Sequence, residues 1–220
     1  MKTRTRVTWS NVIKKHRVEP FKYLIPGSLP DIVSAVQEAE ECGHRIRAVG
    51  SGHSYSDVAI TDGFLVDMSR LCTLLDLDKS KLLPEHQEKY LVEVEAGITV
   101  EVLNRKLDRQ RLALINMGAI DEQTFSGAIA TGTHGSGRNE PAMSGMVRSL
   151  VMVAAEGKIY RIEPSEGFTD PQKHTDQNIE LIQDDDAFYS AVVSLGCTGI
   201  VYSYVIEVRP RYWLYENRRP

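Results

Sequence analysis

Residues 50–57 read GSGHSYSD, which sets one imidazole, His53, among Gly50, Ser51, Gly52, Ser54 and Ser56. An imidazole can carry a proton, attack an electrophile or bind a ligand. The glycines leave it room and expose main-chain N–H groups to whatever lies alongside. A second stretch, SGAIATGTHGSG at 126–137, is of the same kind: ten of its twelve residues are Gly, Ala, Ser or Thr, too small to build a core. Side chains of this size let a flat or charged ligand reach the backbone, and successive N–H groups form a nest for phosphate oxygens. A third, SLGCTGI at 194–200, repeats the character. Each alone is an ordinary small-residue turn. Two or three together can enclose a dinucleotide from different sides.

Several other chemistries are absent. GSGHSY supplies GxG without a third glycine at the nicotinamide spacing, and there is no GxxxxGK[ST] and no GxSxG. The histidines at 16, 44, 53, 86, 134 and 174 show no HExxH, and Cys42, Cys72 and Cys197 show neither CxxC nor a disulfide pattern, so no metal site is expected. Asp184–Asp186 read as a helix cap. A net charge of −4 gives no basic excess for nucleic acid. The longest apolar run, LVMVAA at 150–155, is far too short to span a membrane, and the N-terminus lacks the apolar core of a signal peptide. A soluble protein of a reducing compartment, most simply the cytoplasm, is expected.

The elements that must position these stretches follow from pattern. FKYLI at 21–25 reads as a strand ending at Pro26-Gly27. Ser28 then caps a helix with Pro30 and Asp31 in its first turn and Ile32, Ala35, Val36 and Ala39 on one face. Gly43 closes the helix and RIRAV at 45–49 gives a second strand, the pattern of a parallel crossover. The His53 stretch thus leaves the C-terminal end of a strand, where open α/β sheets place ligands. FLVDM at 64–68 is a further strand, and the polar, Pro84-containing SKLLPEHQEK at 80–89 reads as a hinge between two lobes. YLVEVEAG at 90–97 resumes a strand, Thr99 caps a helix with Val100, Leu103 and Leu107 inward, and LALI at 112–115 is extended. SLVMVAA, EGK and IYRI form a hairpin, 163–183 reads as a polar surface excursion, and IVYSYVIEV at 200–208 is a long strand. The chain is expected to be α+β: an N-terminal extension over 1–20, a small α/β lobe over 21–80 and a larger α+β lobe with a mixed sheet over 81–210.

The runs IRAVGSGHSYSDVAITDGFLVDMSRL, VEVEAGITVEVLNRKL, GAIDEQTFSGAIATGTHGSG and SLGCTGIVYSYVIEV, in that order, resemble the PCMH-type FAD-binding domain of the vanillyl-alcohol-oxidase flavoprotein superfamily. Within it they are most similar to the sugar-1,4-lactone oxidases, of L-gulonolactone or D-arabinono-1,4-lactone oxidase type, and to alditol oxidases. The resemblance implies two lobes with FAD between them. It implies that Gly50, Ser51, Gly52 and Ser54 embrace the pyrophosphate and that His53 is joined covalently to the 8α-methyl of the flavin. It also implies that Gly127, Ala130, Thr131, Gly132, Thr133 and His134 run beside ring and pyrophosphate, that Ser126 adds a hydroxyl and that Ile200 meets the ring or adenine. His134 has the chemistry of an acid or base, but in its GTHG setting it is read as structural. Relatives attached twice to their flavin use a cysteine before the Gly-rich stretch, and NMGAIDEQTFSG at 116–127 has none, so a single attachment is expected.

The implied reaction passes hydride from a hydroxyl-bearing carbon of a sugar-derived substrate to flavin N5, with reoxidation by O₂ or another acceptor. Members of the family continue beyond this length with a cap that binds substrate. Residues 211–220, RYWLYENRRP, are accordingly expected to begin a cap domain or to meet a partner chain, and catalytic residues are not assigned. The competing expectations are a stand-alone, non-catalytic flavin-binding or interaction module, an inactive fragment lacking the substrate domain, an alditol oxidase, and a nicotinamide enzyme.

Overall fold

The computed structural model describes residues 1–217. Ser28 Oγ accepts from the Asp31 N–H at 3.3 Å, a proline stands in the first turn, and the helix Leu29–Glu41 follows. It buries Ile32, Ala35, Val36 and Ala39, the face expected from spacing, and ends before Gly43 at φ +66°. The helix serves two layers. Ala35 and Ala39 pack with Leu24 and Phe64 on a small sheet, while Ile32 and Val36 join the large core behind a second sheet.

The small sheet runs Lys2–Arg4, Lys22–Ile25, Phe64–Asp67, Ile46–Val49. The last three are parallel, and the first is antiparallel to its neighbour. The crossover through the helix is therefore present, but its two strands are not adjacent: Phe64–Asp67 lies between them. Phe64, Leu65 and Val66 are all fully buried, which suits a central strand covered on both faces.

The large sheet runs Ile179–Gln183, Ile159–Glu163, Val147–Val153, Ile200–Glu207, Leu91–Glu95, Leu74–Leu75. The first pair is parallel and the rest are antiparallel. Helices Val100–Arg109 and Asp185–Val192 contribute Val100, Leu103, Leu107, Phe188, Ala191 and Val192 to the core with Leu150, Tyr204 and Ile206. Thr99 and Asp184 cap them, accepting from Val102 N and Ala187 N. The result is an α+β chain with mixed sheets.

Three expectations are corrected. The 80–89 stretch is not a free hinge: it holds the turn Lys79–Lys81 and the helix Pro84–Gln87, and His86 stacks on Phe168 at 4.0 Å. The chain has already passed to the large sheet at Leu74–Leu75. Residues 163–183 are a surface excursion only in part: 171–178 are largely exposed, but the stretch ends in the edge strand Ile179–Gln183 and encloses a buried carboxylate. Glu163, wholly buried, accepts from Phe168 N (2.8 Å), Thr169 N (2.9 Å), Thr169 Oγ1 (2.6 Å) and Gln183 Nε2 (3.1 Å). Lastly, part of the second small-residue stretch is a helix, Phe125–Ala130, rather than an open nest.

No helix among the described residues is long and apolar enough to cross a membrane. Of the stretch 211–220, Trp213, Leu214 and Tyr215 are exposed, the Arg209 guanidinium lies 3.7 Å from the Tyr212 ring centre, and 218–220 lie outside the described residues.

Candidate functional site

At the end of strand Ile46–Val49 the chain turns through residues 50–60, and this turn lines a cleft. The helix Phe125–Ala130 and the turn 194–199 supply further lining, with Val201 and Tyr204 from the long strand. The three small-residue stretches therefore meet at one place.

Their contact explains two of the glycines. A Cβ on Gly50 would fall on the hydroxyl of Thr124, the residue that caps the helix by accepting from Gly127 N. Only hydrogen leaves room for the two stretches to touch. Gly52 sits at φ +72°, a conformation side chains resist, and a Cβ there would stand 3.1 Å from Trp9 Cζ2. Arg47 fastens the arrangement from the strand, donating from Nε to Val58 O at 2.8 Å and from Nη2 to Leu195 O at 3.3 Å. That side chain links the first stretch to the third.

Among the described residues, no main-chain N–H of residues 50–56 donates a hydrogen bond. Backbone donors are seldom left unanswered when they can be shielded from water, so a run of them on a cleft wall is a site for an acceptor-rich ligand such as phosphate. His53 is half-buried on the same wall, and its ring nitrogens have no partner among the described residues. Deeper in, Tyr204 is buried, and burial lifts its phenol to about 12 against the lowering effect of its bond to Ser126 Oγ at 3.0 Å. The phenol therefore stays neutral throughout the physiological range.

Gly50, Ser51, Gly52, His53, Ser54, Ser126, Gly127, Ala130 and Thr131 all line this cleft. Gly132, Thr133, His134 and Ile200 do not. Gly132 N and Thr133 N are taken by Ile129 O and Ala128 O as the helix unwinds, which carries the chain away, and exposed His134 turns Nδ1 to Gly135 O at 3.0 Å. Ile200 is buried at the start of its strand, opposite Val153, while neighbouring Gly199 reaches the cleft. Sequence reading passed over Trp9, Arg47, Val58–Ile60, Thr124 and Tyr204. Of these only Tyr204 left a signal, since alternation along IVYSYVIEV puts it on the inner face.

A cleft lined by backbone donors that have no partner among the described residues suits an acceptor-rich ligand such as a nucleotide cofactor. The comparisons make it specific: residues 20–163 match the FAD binding domain family, and the chain belongs to that family. It is 33% identical to the L-gulono-1,4-lactone dehydrogenase of Mycobacterium tuberculosis over 209 residues, 95% of this chain and 42% of the relative. It is 31% identical to the L-gulonolactone oxidase of Mus musculus (97% of this chain, 43% of the relative). To the D-arabinono-1,4-lactone oxidase of Eremothecium gossypii it is 32% identical (96% and 35%). The chain thus spans well under half the length of these relatives. In fold it is similar to the crystal structure of cholesterol oxidase from B. sterolicum, with TM-score 0.72 at 16% identity, covering 95% of this chain and 37% of that one.

The cleft fits FAD. The N–H groups of 50–56, without partners among the described residues, suit the pyrophosphate, and Val49, Ala59, Met68 and Val201 offer apolar surface to a flat ring.

Proposed function

We propose that the chain is the FAD-binding part of an oxidoreductase that oxidises a hydroxyl-bearing carbon of a sugar-derived substrate, an aldono-1,4-lactone by the analogy of its relatives. Bound flavin supplies the two-electron chemistry and is reoxidised by O₂ or another acceptor. The chain's own residues hold and orient. The N–H groups of residues 50–54 grip the pyrophosphate. Ser126, Gly127, Ala130 and Thr131 face the cofactor from the helix side, and Arg47 keeps the walls together. Of the remaining residues expected from the resemblance, Gly132, Thr133 and His134 steer the chain out of the cleft, and Ile200 anchors the strand behind it.

His53 is the residue that would join the flavin 8α-methyl in a single covalent bond; forming that bond removes one hydrogen from the methyl and the proton of the imidazole, and O₂ as oxidant would take up the two electrons and two protons as peroxide. The observation that carries the reading is an imidazole placed on a cleft wall among N–H donors, none of them with a partner among the described residues.

The purified chain should be yellow, and acid precipitation should leave the colour in the pellet. His53→Ala should bind FAD but release it to the supernatant. Colour released equally by both proteins rejects the covalent bond, and a colourless wild type that takes up no FAD rejects the site. Turnover of L-gulono-1,4-lactone or D-arabinono-1,4-lactone, followed by peroxide release or dye reduction, tests the substrate class. A flavin-loaded but inert chain would assign the substrate contacts to sequence beyond this one.

A further inference from the structure

Residues 9–18 form a small hairpin, Trp9–Ser10 against Arg17–Val18, whose only sequence signals are short and polar. Its turn bonds to the outside of the His53 turn at three carbonyls. Val12 N donates to Gly52 O at 2.9 Å, Asn11 Nδ2 donates to Ser54 O at 3.0 Å, and His16 Nε2 lies 3.1 Å from Tyr55 O. Asn11 is the centre of this grip. It is 2% exposed, its Oδ1 accepts from His16 N at 3.0 Å, its own N–H goes to His16 O at 3.1 Å, and its carbonyl accepts from Lys14 N at 2.9 Å. The bonds at Oδ1 and Nδ2 are satisfied in one orientation of the amide only.

Peptide geometry turns this grip into a statement about the other side of the turn. No peptide bond in the described chain is cis, and in a planar trans peptide C=O and N–H point in opposite directions. Holding the carbonyls of 52, 54 and 55 toward the hairpin therefore aims the N–H groups of His53, Tyr55 and Ser56 away from it. None of these donates within the described chain, and His53 and Ser56 line the cleft. Trp9, at the hairpin's start, lines the cleft itself and stands where a side chain on residue 52 would go.

We propose that Asn11 is a positioning residue of the flavin site: by fixing the peptide planes of the His53 turn from behind, it presents that turn's N–H groups and imidazole to the cofactor before the cofactor arrives. The inference rests on the reading that the 50–56 turn carries the flavin. A turn fixed in advance loses less freedom on binding, which strengthens binding without any new contact to the ligand. Residues 9–18 would then be part of the cofactor site even though most of them never touch it.

The test is Asn11→Asp, which keeps the Oδ1 acceptor and loses the Nδ2 donor, beside wild type and Glu163→Gln. The last perturbs a buried cluster whose partners, Phe168, Thr169 and Gln183, are not on the cleft. Flavin absorbance per folded chain, the fraction of colour in the acid pellet and the melting temperature are read on each. Asn11→Asp should hold about tenfold less flavin, with what remains released by acid, while Glu163→Gln melts lower yet keeps its flavin. Equal flavin in wild type and Asn11→Asp overturns the proposal, as does a loss that merely tracks melting temperature across both variants. A wild type without flavin overturns the underlying site instead. If Asn11→Asp does not fold, His16→Ala, which removes only the Tyr55 contact from a partly exposed side chain, decides by the same criteria.

Discussion

The turns at 50–56 and 163–169 both gather main-chain N–H groups, and they differ in what answers them. At 163–169 the answer is internal: the buried Glu163 carboxylate takes two backbone donors and a hydroxyl in the interior and the amide of partly buried Gln183. At 50–56 no acceptor is provided among the described residues, and only the carbonyls are held. A donor cluster closed on its own anion is a structural knot. One left open on a cleft can be answered only from outside those bonds, by water or a ligand. The comparison separates the two without appeal to composition, since both stretches are rich in polar and small residues.

Breaking the closed cluster should give the largest effect. Glu163→Ala strands several buried donors, each costing about 1–3 kcal/mol, so urea denaturation should show a loss of about 3 kcal/mol or more. Flavin content per folded molecule should not change. If flavin falls in step, the two turns are not independent and the contrast fails.

The same cluster fixes an acid response. Burial by itself would raise the Glu163 carboxyl, but the bonds from Thr169, Phe168 and Gln183 outweigh it and hold its pKa below the ordinary range. Between that lowered value and the unfolded one near 4.3 the native state binds fewer protons than the unfolded state, so stability rises with pH there. Its contribution is complete above the unfolded pKa and is lost as pH falls through the folded one. Urea midpoints measured downward from pH 6 should therefore fall more steeply in wild type than in Glu163→Gln, and parallel curves would remove the carboxylate from this role.

Gly52→Ala tests the open turn. Left-handed backbone costs a residue with a Cβ about 1–2 kcal/mol, and Trp9 adds a close contact at 3.1 Å. A stability loss of that order is expected, smaller than at Glu163, but here flavin retention should drop with it. The two substitutions thus exchange their signatures: large stability loss with flavin kept, and modest stability loss with flavin diminished.

What the sequence made legible was what local rules govern. Ser28 and Thr99 cap the helices they were expected to cap, and the inward faces Ile32–Ala39 and Val100–Leu107 follow from spacing alone. The convergence of the small-residue stretches was readable because their composition is useless for a core. Long-range polar contacts were not. Asn11 reaches Ser54 across 43 residues, Arg47 reaches Leu195 across 148, and nothing in either local pattern marks the partner. Glu163 was misread with its surroundings because polarity was taken as exposure, while a carboxylate fully bonded to backbone can be wholly buried. Residues 132–134 share the composition of 126–131 yet leave the cleft, because backbone bonding rather than side-chain size directs the chain there.

Tyr204→Phe should have the smallest effect and is the sharpest probe of the cleft floor. The substitution keeps the ring, including its edge-on contact with Phe125 at 6.1 Å, and removes only the hydroxyl bonded to Ser126. A hydrogen bond of this kind is worth about 1 kcal/mol net, and Ser126, partly exposed on the cleft, can turn its hydroxyl to another acceptor or to water. Stability should change by no more than that amount. Since the phenol holds its proton up to about pH 12, any role it has is as a neutral dipole, and the difference between the two proteins should be independent of pH from 6 to 9. Its readout is the visible spectrum of bound flavin: a shifted band at unchanged occupancy would place the Ser126–Tyr204 pair against the ring, whereas identical spectra would move the ring toward the 50–60 wall.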